Sequence, residues 1–90
     1  MPEYQCVEAD GFTFLFAFDS TDPELLHIYA RHLATIDDAL GVWFDDATED
    51  VWNERYGRYE TVGRTHVLDW SWLVPGERVL IITCFRREDA

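Results

Sequence analysis

The segment RYETVGRTHVLDW, from Arg58 to Trp70, sets cations among aromatic and β-branched residues in a chain whose formal net charge is -11. Residues 1–54 carry thirteen Asp and Glu against Arg31 alone, whereas residues 55–90 carry six arginines (Arg55, Arg58, Arg64, Arg78, Arg86 and Arg87) against five acids. A guanidinium is a permanent cation with a planar fork of donors that matches phosphate and carboxylate. The sign split predicts a surface with one repulsive side and one that can meet a phosphate or an acidic partner. The competing reading is a set of solvated faces, with each arginine in a weak surface pair with one of the abundant acids.

Other reactive constellations are not supported by spacing. His27 and His32 are five apart, about 140° around a helix, and do not make a metal pair. Cys84 has no nucleophile signature around it, and the chain holds neither a glycine-rich phosphate loop nor a Gly-x-Ser-x-Gly elbow. No cofactor is expected. Trp70 and Trp72 share one strand face and can stack bases, although aromatics at that spacing are more often core. Cys6 and Cys84 are expected as reduced, buried thiols, with a disulfide the alternative if the first and last strands are neighbours.

These residues need elements to hold them. Ninety residues make one domain, 1–90, with room for a single modest core, and an apolar content of 48% excludes a disordered acidic tail. Met1 is followed by PEYQCVEAD, with neither a basic start nor an apolar run, which predicts a cytoplasmic protein with no membrane partner. YQCVEADGFTFLFAF reads as two strands joined at Asp10-Gly11. Asp22 and Pro23 predict the cap and first position of an amphipathic helix carrying Leu25, Ile28, Tyr29, His32, Leu33 and Ile36. Thr35 and Asp38 predict a capped second helix, TIDDALGVWF. DDATEDVWNERYG reads as an acidic loop with one helical turn around Val51 and Trp52.

From Arg58 the period is two, so RYETVGRT, HVLDWSWLV and RVLIITCFR read as an antiparallel meander, with Pro75-Gly76 turning between the last two. The fold class is therefore α+β, a four- or five-stranded, mainly antiparallel sheet with two helices packed on one face. Simple alternation puts Arg78, Leu80, Ile82, Cys84 and Arg86 on one side of the last strand, and Val79, Ile81, Thr83, Phe85 and Arg87 on the other. Arginines at the strand ends predict cations at the sheet rim.

HLATIDDALGVWFDD, RYETVGRT and RVLIITCFRRE, together with FAFD, resemble the BrnT family of bacterial ribonuclease toxins, which have a RelE-like fold; the match spans about residues 16–88. In that family a His precedes a Ser/Thr-capped helix opening with acids and Ala. A Phe-Asp segment, an Arg-aromatic strand ending in Ile-Gly, and a strand reading roughly Arg-Ile-Ile-Ser-Ala-Arg follow. Leu33 stands where the family has Gly, the spacing from Asp19 to His32 is longer, and His66 and Val67 replace an arginine at the hairpin. Phe85 aligns with the terminal arginine, leaving Arg86 one residue late and facing the other way unless a bulge intervenes.

The resemblance implies attack of a ribose 2'-hydroxyl on phosphorus, which needs a proton acceptor, a proton donor and cations around the phosphorane. His32, Arg64 and Arg86 are the implied catalytic residues, Arg58, His66 and Arg78 the RNA-binding ones, and no metal is involved. The plainer role of His32 is a helix-face hydrogen bond, and that of His66 a turn residue. A cognate antitoxin is the implied partner, RNA the substrate, and a dimer or hetero-complex the expected assembly, because exposed strand edges invite pairing. The alternative function is a non-catalytic acidic protein-interaction module, a nucleic-acid mimic or partner-binding protein, which the net charge favours.

Overall fold

The computed structural model describes residues 3–89. Along the chain come β1 (Tyr4–Ala9), β2 (Phe12–Ala17), α1 (His27–His32), α2 (Ile36–Trp43), β3 (Glu49–Asn53), β4 (Arg58–Val62), β5 (His66–Val74) and β6 (Arg78–Arg86), then a 3-10 turn over Arg87–Asp89. The strands form one sheet in the order β1-β2-β6-β5-β4-β3. Neighbours are antiparallel except β2 and β6, which run parallel. The class is α+β as expected, but the sheet has six strands rather than four or five.

The additional strand is β3, within the segment expected to be a loop. Its sequence, EDVWN, is exposed and acidic, so neither alternation nor propensity reveals it. Cross-strand pairs hold it at the sheet edge. Thr61 donates to Asp50 at 2.6 Å, and the rings of Trp52 and Tyr59 meet at 4.8 Å.

The first helix is shorter than its sequence period suggests. Asp19 accepts from the backbone N–H groups of Thr21 and Asp22, each at 3.0 Å, and from Arg31 Nε at 3.0 Å, with His27 Nδ1 at 3.2 Å. Phe18 bridges Leu26. This turn takes the backbone that Asp22 and Pro23 were expected to open as helix, and α1 begins at His27 with Leu26 as an uncapped N-cap. Burial opposes charge on Asp19, yet the N–H groups of Asp22 and Thr21 and the Arg31 guanidinium hold its carboxyl below the usual range.

The second helix starts where the capping box places it. Thr35 N–H donates to Asp38 Oδ2 at 2.9 Å, and Asp38 N–H returns a bond to Thr35 Oγ1 at 3.1 Å. α2 lies across β5 and β4, and α1 against β6 and β2. Phe14, Phe16, Leu68, Val79, Ile81 and Cys84 are fully buried, and Ile28, Ala39 and Val42 from the helices join the same core.

One bulge rearranges the last strand. Asp69 pairs with Thr83 but Trp70 pairs with Ile81, which leaves Ile82 as an extra residue. Paired residues share a face, so Val79, Ile81, Cys84 and Arg86 line up with Trp72, Trp70, Leu68 and His66. Strict alternation had set Val79 and Ile81 opposite Cys84 and Arg86; the bulge reverses the parity.

Gly63 permits the close seat of α2. A Cβ there would stand 3.2 Å from both methyls of Val42 and 3.1 Å from the His66 carbonyl. Gly63→Ala is expected to lose roughly 1–3 kcal/mol by overpacking. Gly41→Ala, inside α2 with open space around it, is expected to gain up to about 1 kcal/mol from helix propensity. Urea denaturation of the two variants measures both signs, and equal stability of Gly63→Ala and wild type would disprove the tight contact.

Candidate functional site

At the N-terminal end of α2 three separate segments converge on a cleft of about 550 Å³. Arg64, Thr65 and His66 arrive from the β4–β5 turn, Arg86, Arg87 and Glu88 from the end of β6, and Asp38 from the first turn of α2. The turn is fastened at several points. Gly63 N–H donates to the His66 carbonyl at 2.9 Å, Arg87 N–H to the Thr65 carbonyl at 3.0 Å, and Arg87 Nη1 to the Gly63 carbonyl at 3.2 Å. His66 and Arg86 are directly opposed across the β5–β6 ladder.

The cations have nearby carboxylates. Arg64 Nε is 3.4 Å from Asp45, and Arg86 Nη1 is 3.4 Å from Glu88. Both arginine side chains are mostly exposed, at 73% and 65%, so these pairs are weak and can be exchanged for another anion. His66 is better fixed. Its Nδ1 is 2.9 Å from Thr65 Oγ1, and its Nε2 is 3.9 Å from Asp38 Oδ2, beyond hydrogen-bond range. Nε2 thus has no hydrogen-bond partner among the described residues and lies in a side chain that is 13% exposed and lines the cleft, with a carboxylate close by. The Thr35 N–H chiefly holds the Asp38 carboxyl below its ordinary range, against the effect of burial, and the Thr35 side chain, His66 and Arg86 add to the lowering. Such a cleft can take an anion between guanidinium groups and move a proton at Nε2.

Of the residues expected to act together, Arg64, His66 and Arg86 do line one cleft. His32 does not: it ends α1, and its exposed ring packs 5.7 Å from Phe85. Arg78 opens β6 while Arg86 closes it, a separation of about 26 Å along an extended strand. Arg58 sits 2.9 Å from Asp69, whose side chain alternates to the sheet face opposite Leu68 and Trp70. Arg87 was set apart from Arg86 by alternation, but β6 ends at Arg86 and the 3-10 turn brings Arg87 back to the cleft. The Arg86-Arg87 doublet was the signal for it.

The thiols are chemically unlike. Cys6 is exposed, contrary to the expectation of a buried thiol, while Cys84 is buried; both are free. β1 adjoins β2 rather than β6, so the first and last strands are not neighbours. Burial pushes the Cys84 thiol up to about 12, and Asp38 and Asp69 add to the rise, so it is no nucleophile. Among the described residues no group of three or more His, Cys, Asp or Glu is arranged to hold a metal, and no helix is long and apolar enough to cross a membrane. No family model matches the chain, and no curated protein or solved structure matches it.

A second charged group lies on the other sheet face. Asp69 is 4% exposed and faces Glu60 across the β4–β5 ladder and Thr83 across the β5–β6 ladder. Asp69 Oδ1 and Thr83 Oγ1 are buried without a hydrogen-bond partner. Burial raises the Asp69 carboxyl to about 6, despite the opposing charge of Arg58 and with help from Glu60. A carboxyl raised in the folded state favours folding below its unfolded value near 3.8, and that contribution disappears as pH rises through about 6. Asp69→Asn is therefore expected to match wild type near pH 4 and to exceed it by on the order of 1–3 kcal/mol at pH 8. Denaturation curves from pH 4 to 8 test this, and parallel curves for the two proteins would refute it.

Proposed function

We propose that the chain is an endoribonuclease toxin of the BrnT kind, cleaving RNA by transesterification at the cleft of Arg64, His66, Arg86 and Arg87. The observation that supports the reading is the meeting of three arginines and a histidine, from separate segments of an acidic chain, in a single cleft. His66 takes the proton-transfer role in place of His32. Its Nε2 accepts the 2'-hydroxyl proton as that oxygen attacks phosphorus, and the resulting imidazolium returns a proton to the departing 5'-oxygen. The products are a 2',3'-cyclic phosphate and a 5'-hydroxyl. Arg64, Arg86 and Arg87 neutralise the charge that builds on the phosphorane.

Antitoxin binding fits the remaining surface. The acidic first half offers a complement to a basic partner, and β3 is an edge strand with Val51 and Trp52 exposed. The second reading, a non-catalytic acidic interaction module, draws on the carboxylates beside Arg64 and Arg86 and on the net charge of -11.

Expression without a partner is expected to arrest growth and degrade RNA. His66→Ala should slow cleavage by roughly 100- to 10,000-fold, Arg86→Ala should also reduce it, and His32→Ala should leave it near wild type. If wild-type protein spares both growth and RNA at low and high salt, the nuclease reading is wrong; a basic partner that co-purifies and leaves as salt rises would then identify the module.

A further inference from the structure

The opposite end of α2 is a different chemical environment. The helix finishes at Trp43, whose indole meets Trp70 at 4.6 Å and 73° and Trp72 at 5.7 Å and 87°. Trp70 and Trp72 meet at 5.1 Å and 88°. The three ring planes are thus close to mutually perpendicular, and Phe12 packs against Trp43 at 5.5 Å and Trp72 at 6.1 Å. Trp70, 5% exposed with Tyr59 stacked on it at 4.7 Å, forms the buried floor, while Phe12, Trp43 and Trp72 are the half-buried rings around it. A cavity of about 290 Å³ is lined by these four rings, with Thr48, Asp50 and Thr61 completing the wall.

The polar groups in that wall are ordered by a short relay. Trp70 Nε1–H donates to Thr61 Oγ1 at 2.8 Å, and the Thr61 hydroxyl donates to Asp50 Oδ1 at 2.6 Å. The relay consumes the Trp70 donor and ends on a carboxylate that lines the cavity. No cationic side chain is among the lining residues.

Three features agree in sign. Indole faces carry the negative part of the ring quadrupole. Asp50 contributes a formal negative charge. The C-terminus of α2 presents the negative end of its dipole, with no basic residue in the last turn to offset it. A phosphate is repelled here and a cation is attracted. The volume lies near the lower end of the range for ligand sites, roughly 300–1,000 Å³, which suits a compact head group rather than a nucleotide.

We propose that the Trp43, Trp70, Trp72 and Phe12 corner, with Asp50 at its wall, binds a quaternary ammonium group. Methylated ammonium is large, weakly hydrated and able to contact several ring faces at once. It can arrive on a free molecule of the choline type or on a trimethylated lysine side chain. The chain's net charge of -11 raises the local concentration of either source.

Titration of the full chain with choline, followed through the indole N–H resonances, is the test. Choline should shift the signals of Trp43, Trp70 and Trp72 and leave Trp52 unmoved. Its uncharged isostere 3,3-dimethylbutan-1-ol should bind roughly 3- to 30-fold more weakly. Asp50→Asn should weaken choline binding several-fold, and Trp72→Leu, checked for folding by circular dichroism, should abolish it. A short trimethyl-lysine peptide is titrated in parallel. Tighter binding of the peptide assigns the cation to a protein side chain, and tighter binding of choline assigns it to a free molecule. Equal affinity for the alcohol, full affinity in folded Trp72→Leu, or no response to either cation would overturn the proposal.

Discussion

The seat of α2 on the sheet ties together the two places where reactive or aromatic side chains gather, the arginine cleft at one end of the helix and the tryptophan corner at the other. The Thr35–Asp38 capping box determines where the helix begins, and Val42 against the bare backbone of Gly63 determines how near it lies. Eight residues of helix span about 12 Å, so both ends are set together. At one end Asp38 meets His66 and Arg86. At the other Trp43 enters the aromatic corner. A helix displaced by one residue would rotate about 100°, removing Val42 from Gly63, Asp38 from the cleft and Trp43 from Trp70 at once.

The bulge at Ile82 supplies the other half of the geometry, and it has a cost on the reverse face. Through it Arg86 shares a face with His66 while Val79 and Ile81 keep their places in the core. The paired residues directly before the register shift are Asp69 and Thr83, and these hold the unpartnered polar atoms on the other side of the sheet. An unsatisfied buried acceptor costs roughly 1–3 kcal/mol. Arg58 at 2.9 Å offsets part of that cost by its charge without satisfying Oδ1. The arginine expected to help bind RNA thus serves a carboxylate buried on the far face.

What could be read in the sequence was whatever is decided within a few residues. Asp10-Gly11 forms its hairpin with both residues at positive φ, Thr35 and Asp38 cap their helix, and the period of two after Arg58 gives β4, β5 and β6. What could not be read depends on partners distant along the chain. EDVWN becomes a strand only because Thr61 and Tyr59 wait beside it. α1 starts late because Asp19 reaches forward to Arg31 and fastens the turn between them. The same distinction divides the site. Arg64, His66 and Arg86 were legible as residue types at a sheet rim, but their meeting depends on a bulge and on Gly63, neither of which leaves a period in the sequence. His32 has the local surroundings expected of it but ends α1 outside the cleft.

An acidic chain can still hold an anion if the balance is local. Charges more than about 8–10 Å away are largely screened at physiological salt, so the Glu8 carboxylate of β1, at the other side of the sheet, matters less to the cleft than its own members do. Around the cleft three guanidinium groups face Asp38, Glu88 and the Asp45 that pairs with Arg64, leaving the formal charge near zero while His66 is neutral. In the proposed reaction His66 gains its proton as the phosphorane gains negative charge. The extra cation is then present in the transition state and absent in the ground state, which is the differential binding that lowers a barrier. A permanently basic cleft would hold substrate and transition state alike; in the proposed reaction a cleft balanced by carboxylates, with His66 gaining its proton only as phosphorus is attacked, favours the transition state.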